Sequence, residues 1–255
     1  MYLKTPALVL REAAYQDHDK ILTLLTPEHG KMTVKARGVR RNGSTLKAAC
    51  QLLAYGEFVL FENRGSISVN EAQATELFPE IRGDIELLAL GSYFAQAAEL
   101  LSQEDSPSPE LLSLTLNALY ALARLKKPRN LVKAAFELRA ACIAGYAPDL
   151  SGCSVCGDPD PDRFSLLDGT LECTGCRSTD GIRLPVTPGM LDAMRYIADC
   201  PASKLFSFRL DEATLKSLSS LTESFLSTQL EKSFSALAFY KSLFLQPEEL
   251  LQGGA

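Results

Sequence analysis

The segment "KILTLLTPEHGKMTVKARG", residues 20–38, decides the fold of the amino-terminal part of the chain. Its two runs of Leu, Ile, Val, Met and Thr are typical of β-strands, and the Pro-Glu-His-Gly between them has the composition of a turn. Apolar and polar residues alternate along the second run, which indicates a strand with one buried face and one charged face. The residues expected on the charged face are Lys31, Lys35 and Arg37.

Further runs of the same kind flank this segment, so the first 78 residues contain five predicted strands. The five runs are residues 7–15, 20–26, 30–38, 56–63 and 66–73. Five strands in so short a segment suggest a small barrel. The oligonucleotide/oligosaccharide-binding (OB) barrel is the five-stranded barrel most often used for nucleic acids. An SH3-like barrel fits the strand count equally well.

From about residue 79 the hydrophobic period becomes helical, and the chain is predicted to be multi-domain. Ser108 and Thr187, each followed by proline, have the pattern of helix N-caps. The expected apolar stripes start at Leu87, Leu131, Leu215 and Leu230, and the last of them runs through Phe234 and Leu237 to Phe244. The predicted domains are an all-β OB-fold barrel at 1–78, an α-helical bundle domain in two parts at 79–150 and 183–248, an inserted four-cysteine, zinc-ribbon-like segment at 151–182, and a disordered tail at 249–255.

Four of the seven cysteines lie in "CSVCGDPDPDRFSLLDGTLECTGC", residues 153–176. Two Cys-x-x-Cys pairs sixteen residues apart predict two knuckles that share one tetrahedral ion, and Asp168-Gly169 is predicted to turn the hairpin between them. Gly157 and Gly175 are expected to let the backbone turn around the sulfurs. The predicted ligands of one structural Zn²⁺ are Cys153, Cys156, Cys173 and Cys176. A pair of dithiols without metal and an iron–sulfur cluster are the alternatives.

A second feature is the absence of acidic residues from Lys31 to Gly56, although the chain has 31 acidic and only 26 basic residues. The predicted phosphate-binding residues in this stretch are Lys31, Lys35, Arg37, Arg40, Arg41 and Lys47. A local field of this kind attracts a polyanion whatever the total charge. The alternative is a solvated strand face followed by a flexible loop. Candidates for base stacking nearby are Tyr15, Tyr55, Phe58 and Phe61.

The sequence contains no recognisable catalytic motif, which favours a protein that is not an enzyme. The two histidines, His18 and His29, are expected to be solvated turn residues, and Cys142 is expected to be a small core residue. The first twenty residues carry six charged side chains, so they contain no apolar run long enough for a signal peptide or a membrane span. We therefore expect a soluble, cytosolic protein with reduced thiols.

Three stretches resemble the RecO family of bacterial recombination mediators, and they occur in the family's order. They are "REAAYQDHDKILTLLTPEHGKMTVKARGVRR" (11–41), "FELRAACIAGYAPDLSGCSVCG" (136–157) and "LECTGC" (171–176). The resemblance implies an OB-fold barrel, a helical domain and a zinc-binding insert. It also implies a DNA repair protein that binds single- and double-stranded DNA and anneals complementary strands. In the family these proteins act with RecR, bind the acidic tail of the single-stranded DNA-binding protein and help load RecA at gaps. The implied location is the cytoplasm, at the nucleoid during repair.

The resemblance transfers a DNA-contact role to Lys35, Arg37, Arg40 and Arg41, and less directly to Lys31 and Lys47. For the acidic tail of the single-stranded DNA-binding protein, we expect a basic patch beside apolar helix. Its predicted residues are Arg124, Lys126, Lys127, Arg129 and Lys133. Cations near helix C-termini are the alternative explanation of this patch. Two rival functions are an interaction adaptor that binds no DNA and an RNA-processing enzyme with a structural zinc.

Overall fold

The computed structural model describes residues 1–176 and 181–244. The predicted tail at 249–255 lies outside the described residues. So do residues 177–180 of the predicted zinc insert and residues 245–248 of the second helical part.

The first five strands form a closed barrel in the order β1-β2-β3-β5-β4, with β4 pairing back onto β1. The strands are β1 Tyr2–Tyr15, β2 Asp19–Thr26, β3 Gly30–Ala36, β4 Tyr55–Asn63 and β5 Ser66–Glu76. All neighbours are antiparallel except β3 and β5, which meet in parallel where Lys35 lies opposite Ser68. The five predicted strands are confirmed, and the topology is that of the OB barrel.

The barrel interior is filled by alternate strand residues and by the long connection between β3 and β4. Phe58, Leu22 and Val34 are almost fully buried, so Phe58 belongs to the core. Val39 and Cys50 of the connection are buried in the same cluster, because residues 37–54 fold back over the barrel. This connection is therefore packed against the barrel rather than free.

Contacts divide the chain into two compact units, the first comprising Met1–Arg124 with Phe234–Ala255 and the second Leu125–Ser233. The described helices of the first unit are α1 Pro79–Arg82, α2 Ile85–Leu101, α3 Pro109–Ala123 and α7 Ser235–Ser242. The Asp84 side chain caps α2 by accepting from the backbone N–H groups of Glu86 and Leu87. The edge of the Phe234 ring packs on Tyr93 at 5.2 Å, so α7 adjoins α2.

In the second unit, three helices pack around a small sheet. The elements are α4 Arg129–Ile143, β6 Asp149–Cys153, β7 Arg163–Ser165, β8 Thr170–Glu172, β9 Arg183–Pro185, α5 Pro188–Asp199 and α6 Glu212–Leu230. The sheet order is β6-β8-β7-β9. Thr187 caps α5 by accepting from the Met190 N–H, as its pattern predicted. Helix α4, before the cysteine insert, packs on α6 after it, so the bundle closes across the insert.

One helix prediction is wrong in part. Leu230 ends α6, and Glu231 then adopts a left-handed conformation with φ 49°. Phe234 precedes α7, which begins at Ser235, so the stripe drawn from Leu230 to Phe244 spans two helices. The helical spacing of apolar residues continues across this turn, but the helix itself ends at Leu230. Among the described residues, no helix combines the length and apolar character that spanning a bilayer requires.

Candidate nucleic-acid interface and metal centre

The six predicted phosphate-binding residues lie on β3 and in the connection that follows it. Lys31 and Lys35 lie on β3 and are partly exposed, while the apolar residues between them face the core. The remaining predicted residues, Arg37, Arg40, Arg41 and Lys47, are exposed in the β3–β4 connection. We call these six residues the basic face.

The connection is held against the β1–β2 hairpin by hydrogen bonds that its backbone N–H groups donate. The Arg40 N–H donates to the His18 carbonyl at 2.9 Å, and the Gly38 N–H donates to Asp19 Oδ1 at 2.7 Å. Arg40 Nη1 also lies 3.4 Å from the Gln16 carbonyl oxygen. These contacts hold the backbone of the arginine-bearing segment on the barrel before any ligand arrives.

Within residues 1–176 and 181–244, no ion pair joins the basic face to a carboxylate. Lys31 Nζ donates to the Glu99 backbone carbonyl at 3.0 Å, which leaves its charge uncompensated. The Asp19 carboxylate accepts from a backbone N–H of the connection, and Glu12 pairs with Lys20. The six cations therefore make no ion pair among the described residues, although the Asp19 carboxylate keeps its charge beside the connection.

A groove of about 520 Å³ runs beside β3. Its walls include Lys31 and Lys35, and the β4–β5 turn lines the other side. The groove also touches Glu104 and Asp105 in the α2–α3 loop, an acidic contribution that the charge pattern of the sequence does not predict. We call these two residues the acidic lip.

The acidic lip is fixed to the barrel by close backbone contact at Gly30. The Lys31 N–H donates to the Gln103 carbonyl at 3.0 Å, and Gly30 forms an isolated antiparallel β-bridge with Glu104. Gly30 has φ +58°, and a Cβ there would lie 2.3 Å from two loop carbonyl oxygens. Only glycine fits this approach. The cations on β3 therefore share one groove with two carboxylates in a fixed arrangement.

The four cysteines of the insert converge. Their sulfurs lie within 4.8 Å of one another, and Cys156 Sγ is 3.8 Å from Cys173 Sγ. Four thiolates about 2.3 Å from a tetrahedral zinc would be about 3.8 Å apart, so the observed spacing fits this ion. Gly157, with φ +77°, turns the first knuckle, whereas Gly175 has no positive φ. The Asp168-Gly169 turn joins the antiparallel strands β7 and β8, as predicted.

Backbone donors surround the first sulfur. The N–H groups of Cys156 and Val155 lower the pKa of the Cys153 thiol to about 6. A further N–H, that of Cys173, lies 3.4 Å from the same sulfur. Hydrogen bonding and charge from Cys156 raise the pKa of Cys176 to about 11, because thiolates placed this close repel one another. A divalent cation would remove that repulsion, so the donor set fits a metal ion.

The insert is docked onto helices of its own unit. Arg195 of α5 donates to the carbonyls of Leu150 at 2.9 Å and Pro159 at 2.7 Å. Gln229 of α6 donates to the Leu166 carbonyl at 2.8 Å. All four positions of a tetrahedral ion would be filled by protein sulfur, so an ion here has a structural role and no site for substrate.

The predicted partner patch is not a continuous exposed cluster. Lys126 is exposed and Lys127 and Arg129 are partly exposed, but Arg124 pairs with Glu76 and Glu80. The prediction for Lys133 is wrong, because this residue is only 3% exposed. Its ammonium is held inside the second unit and is not available to a partner.

Lys133 belongs to a buried ion cluster between α4 and α6. Its Nζ lies 2.9 Å from Glu137 Oε1 and 2.8 Å from Glu223 Oε2. Burial alone would lower the pKa of Lys133, but the two carboxylates outweigh burial and raise it. The Lys-x-x-x-Glu spacing among the apolar residues of α4 is the signal that could have identified this cluster.

Two of the three thiols outside the insert, Cys50 and Cys142, have pKa values raised by burial. Cys50 is fully buried in the barrel core, and burial raises its pKa to about 12. Burial also raises the pKa of Cys142, which is partly exposed. Both groups are therefore poor nucleophiles at neutral pH.

Comparisons with known proteins match nearly the whole chain. The family "Recombination protein O N terminal" matches residues 1–78, and "Recombination protein O C terminal" matches residues 82–238. A DNA repair protein RecO from Acetivibrio thermocellus is 34% identical over 244 residues, covering 95% of this chain and 97% of the relative. Another, from Desulforudis audaxviator, is 32% identical over 242 residues, covering 94% and 96%. Neither name specifies a catalytic activity.

Proposed function

Because the chain belongs to the RecO family of DNA repair proteins, we propose that it is a non-catalytic recombination mediator that binds DNA through its barrel. The observation that carries this proposal is the basic face, whose six cations have no carboxylate partner within the described residues. Phosphates are the ligands that such a surface attracts without reading sequence.

The proposed chemistry is charge neutralisation. The basic face binds the phosphate backbone of a single strand or of a duplex. The electrostatic repulsion between the phosphates of two strands is thereby reduced. Complementary strands then pair more readily, since part of their mutual repulsion has been cancelled. The connection contributes by holding the backbone that carries its arginines, so that little backbone entropy is lost on binding.

We propose zinc for the four-cysteine centre, with Cys153, Cys156, Cys173 and Cys176 as its ligands. The spacing of the sulfurs and the backbone donors around Cys153 support this choice. The zinc would stabilise the insert on α5 and α6 and would take no part in chemistry.

The remaining parts of the proposal rest on family membership. They are action with RecR, binding of the acidic tail of the single-stranded DNA-binding protein, assistance to RecA loading at gaps, and a cytoplasmic location at the nucleoid. Lys126, Lys127 and Arg129 remain candidates for the acidic tail. The predicted domain limits also remain a proposal. They lie where the period of the apolar residues changes, whereas the two compact units are defined by spatial contacts.

Binding of a fluorescent, mixed-sequence single strand across a salt series tests the proposed DNA role. Arg37, Arg40, Arg41 and Lys47 are the exposed cations, and one phosphate for each gives a slope of log affinity against log salt of about −3. Replacing the three arginines by alanine should reduce the steepness by about 2 and slow strand annealing.

A matched control removes three exposed cations of the second unit, with Lys204, Arg209 and Lys232 changed to alanine. It carries the same change in net charge and should leave the slope nearly unchanged. Equal losses in the two variants would mean that only total charge matters, which contradicts a site on the basic face. A wild-type protein that binds no DNA would favour the adaptor function instead.

A further inference from the structure

We propose that Tyr15 is a stacking platform for a nucleobase, so that the barrel binds a single strand through a base as well as through phosphates. This inference rests on the proposed DNA binding and names the form of nucleic acid that the barrel prefers. Tyr15 is the last residue of β1, and 39% of its surface is exposed.

The ring of Tyr15 is next to one of the cations that would hold the backbone, Lys35. Lys35 Nζ lies 5.6 Å from the ring centroid, within the range of a cation–π contact. Lys35 also lines the groove beside β3, so Tyr15 and the groove share this residue. A strand whose phosphate meets Lys35 would have a base within reach of the ring.

The surroundings of the ring are ordered. Tyr15 pairs with Asp19 across the β1–β2 hairpin, and the turn that follows Tyr15 is bonded to the connection through His18 and Asp19. A tyrosine side chain has only two rotatable bonds, so stacking on it costs little conformational entropy. The platform therefore exists before the strand binds.

Stacking distinguishes single strands from duplexes because a duplex keeps its bases stacked on one another. Base–aromatic stacking tolerates every base, which agrees with a protein that acts without sequence preference. The basic face alone would attract both forms. Tyr15 adds a contribution that only an unpaired strand can use.

The test measures affinity for three ligands of about 20 nucleotides, longer than the site of one OB barrel. They are a mixed-sequence single strand, an abasic strand with the same number of phosphates, and the matching duplex. Tyr15→Ala should weaken binding of the base-bearing strand by about tenfold. It should leave the abasic strand, the duplex and the salt slope nearly unchanged, and Tyr15→Phe should keep wild-type affinity.

Tyr2→Ala is the matched control. Tyr2 is at the other end of β1, is 62% exposed and packs on Phe61 at 4.9 Å. Its removal should leave all three affinities unchanged. Wild-type affinity of Tyr15→Ala for the base-bearing strand would overturn the inference, as would an equal loss for the abasic strand, which would mean that the ring only positions Lys35. If the wild-type protein binds none of the three ligands, the proposed function fails with it.

Discussion

Replacing Lys133 by methionine should destabilise the protein strongly. Methionine keeps most of the buried stem but removes the ammonium, which lies 2.9 Å from Glu137 and 2.8 Å from Glu223 and donates to the Ser219 carbonyl at 3.1 Å. Glu137 has no exposed surface. The Thr222 hydroxyl still donates to this carboxylate at 2.8 Å, but the buried cation is lost.

Removing one partner of a buried ion pair costs about 3–5 kcal/mol, because the remaining charge has lost both water and its counter-charge. In a chain of this size, each kcal/mol lowers the melting temperature by about 2–4 °C, so the expected decrease is about 6–20 °C. The double variant Lys133→Met/Glu137→Gln should recover part of this loss, since it also removes a buried charge.

The assay is urea unfolding followed by far-ultraviolet circular dichroism. Lys216→Met is the control, because Lys216 is an exposed lysine on α6. Its free energy of unfolding should stay within about 0.5 kcal/mol of the wild-type value. A Lys133→Met variant that loses less than about 1 kcal/mol would refute the reasoning, since water would then be solvating the cluster.

The same cluster gives a dependence on alkaline pH. The carboxylates raise the pKa of Lys133 above its ordinary value of 10.5, despite the opposing effect of burial. Such a group contributes stability that is fully present below the unfolded pKa and is lost as the pH rises through the folded pKa. Wild-type stability should therefore fall above pH 10.5 in a way that Lys133→Met does not reproduce.

Three further predictions concern the metal centre, the Glu76 carboxylate and the groove. A chelator should lower the unfolding temperature of the wild-type protein, whereas Cys176→Ser should already unfold at the lower temperature and contain less zinc by elemental analysis. Burial opposes ionisation of Glu76, but the N–H groups of Phe78 and Leu77 and the Arg124 guanidinium together lower its pKa from 4.5. The ionised carboxylate therefore stabilises the wild-type protein, and this stability is lost as the pH falls below 4.5. The Glu76→Gln variant should lose less stability over the same pH range. Glu104→Gln/Asp105→Asn should strengthen single-strand binding severalfold at low salt, and an unchanged affinity would place the strand away from the acidic lip.

The barrel could be predicted because its information is local. Alternation from Lys31 to Ala36 and the turn residues on either side fix the strands within a few positions, and the structure confirms all five. The cysteine centre was predictable for the same reason. Two residues within each pair and a hairpin between the pairs leave the sulfurs few arrangements other than convergence.

The acidic lip could not be predicted, because it depends on a contact between residues far apart in the chain. In the sequence, Gly30 resembles an ordinary turn glycine. The structure shows why glycine is required there, because a Cβ at this position would lie 2.3 Å from carbonyl oxygens of the α2–α3 loop. The prediction of the partner patch was wrong at Lys133 for a different reason. Charge counting treated Lys133 as one more surface cation, although burial and its carboxylates give it a structural role.

The distribution of charge explains how an acidic chain could bind a polyanion. The field of an exposed charge fades within about 8 Å at physiological salt, so a phosphate at the barrel responds to nearby cations more than to the net charge of −5. Of two barrel carboxylates, Glu12 is paired with Lys20, whereas Asp19 accepts the Gly38 N–H and keeps its charge beside the connection. The acidic lip, fixed at the groove, then disfavours phosphates at that end. Attraction along β3 and the connection, together with repulsion at the lip, would direct a strand toward Tyr15 and the exposed arginines.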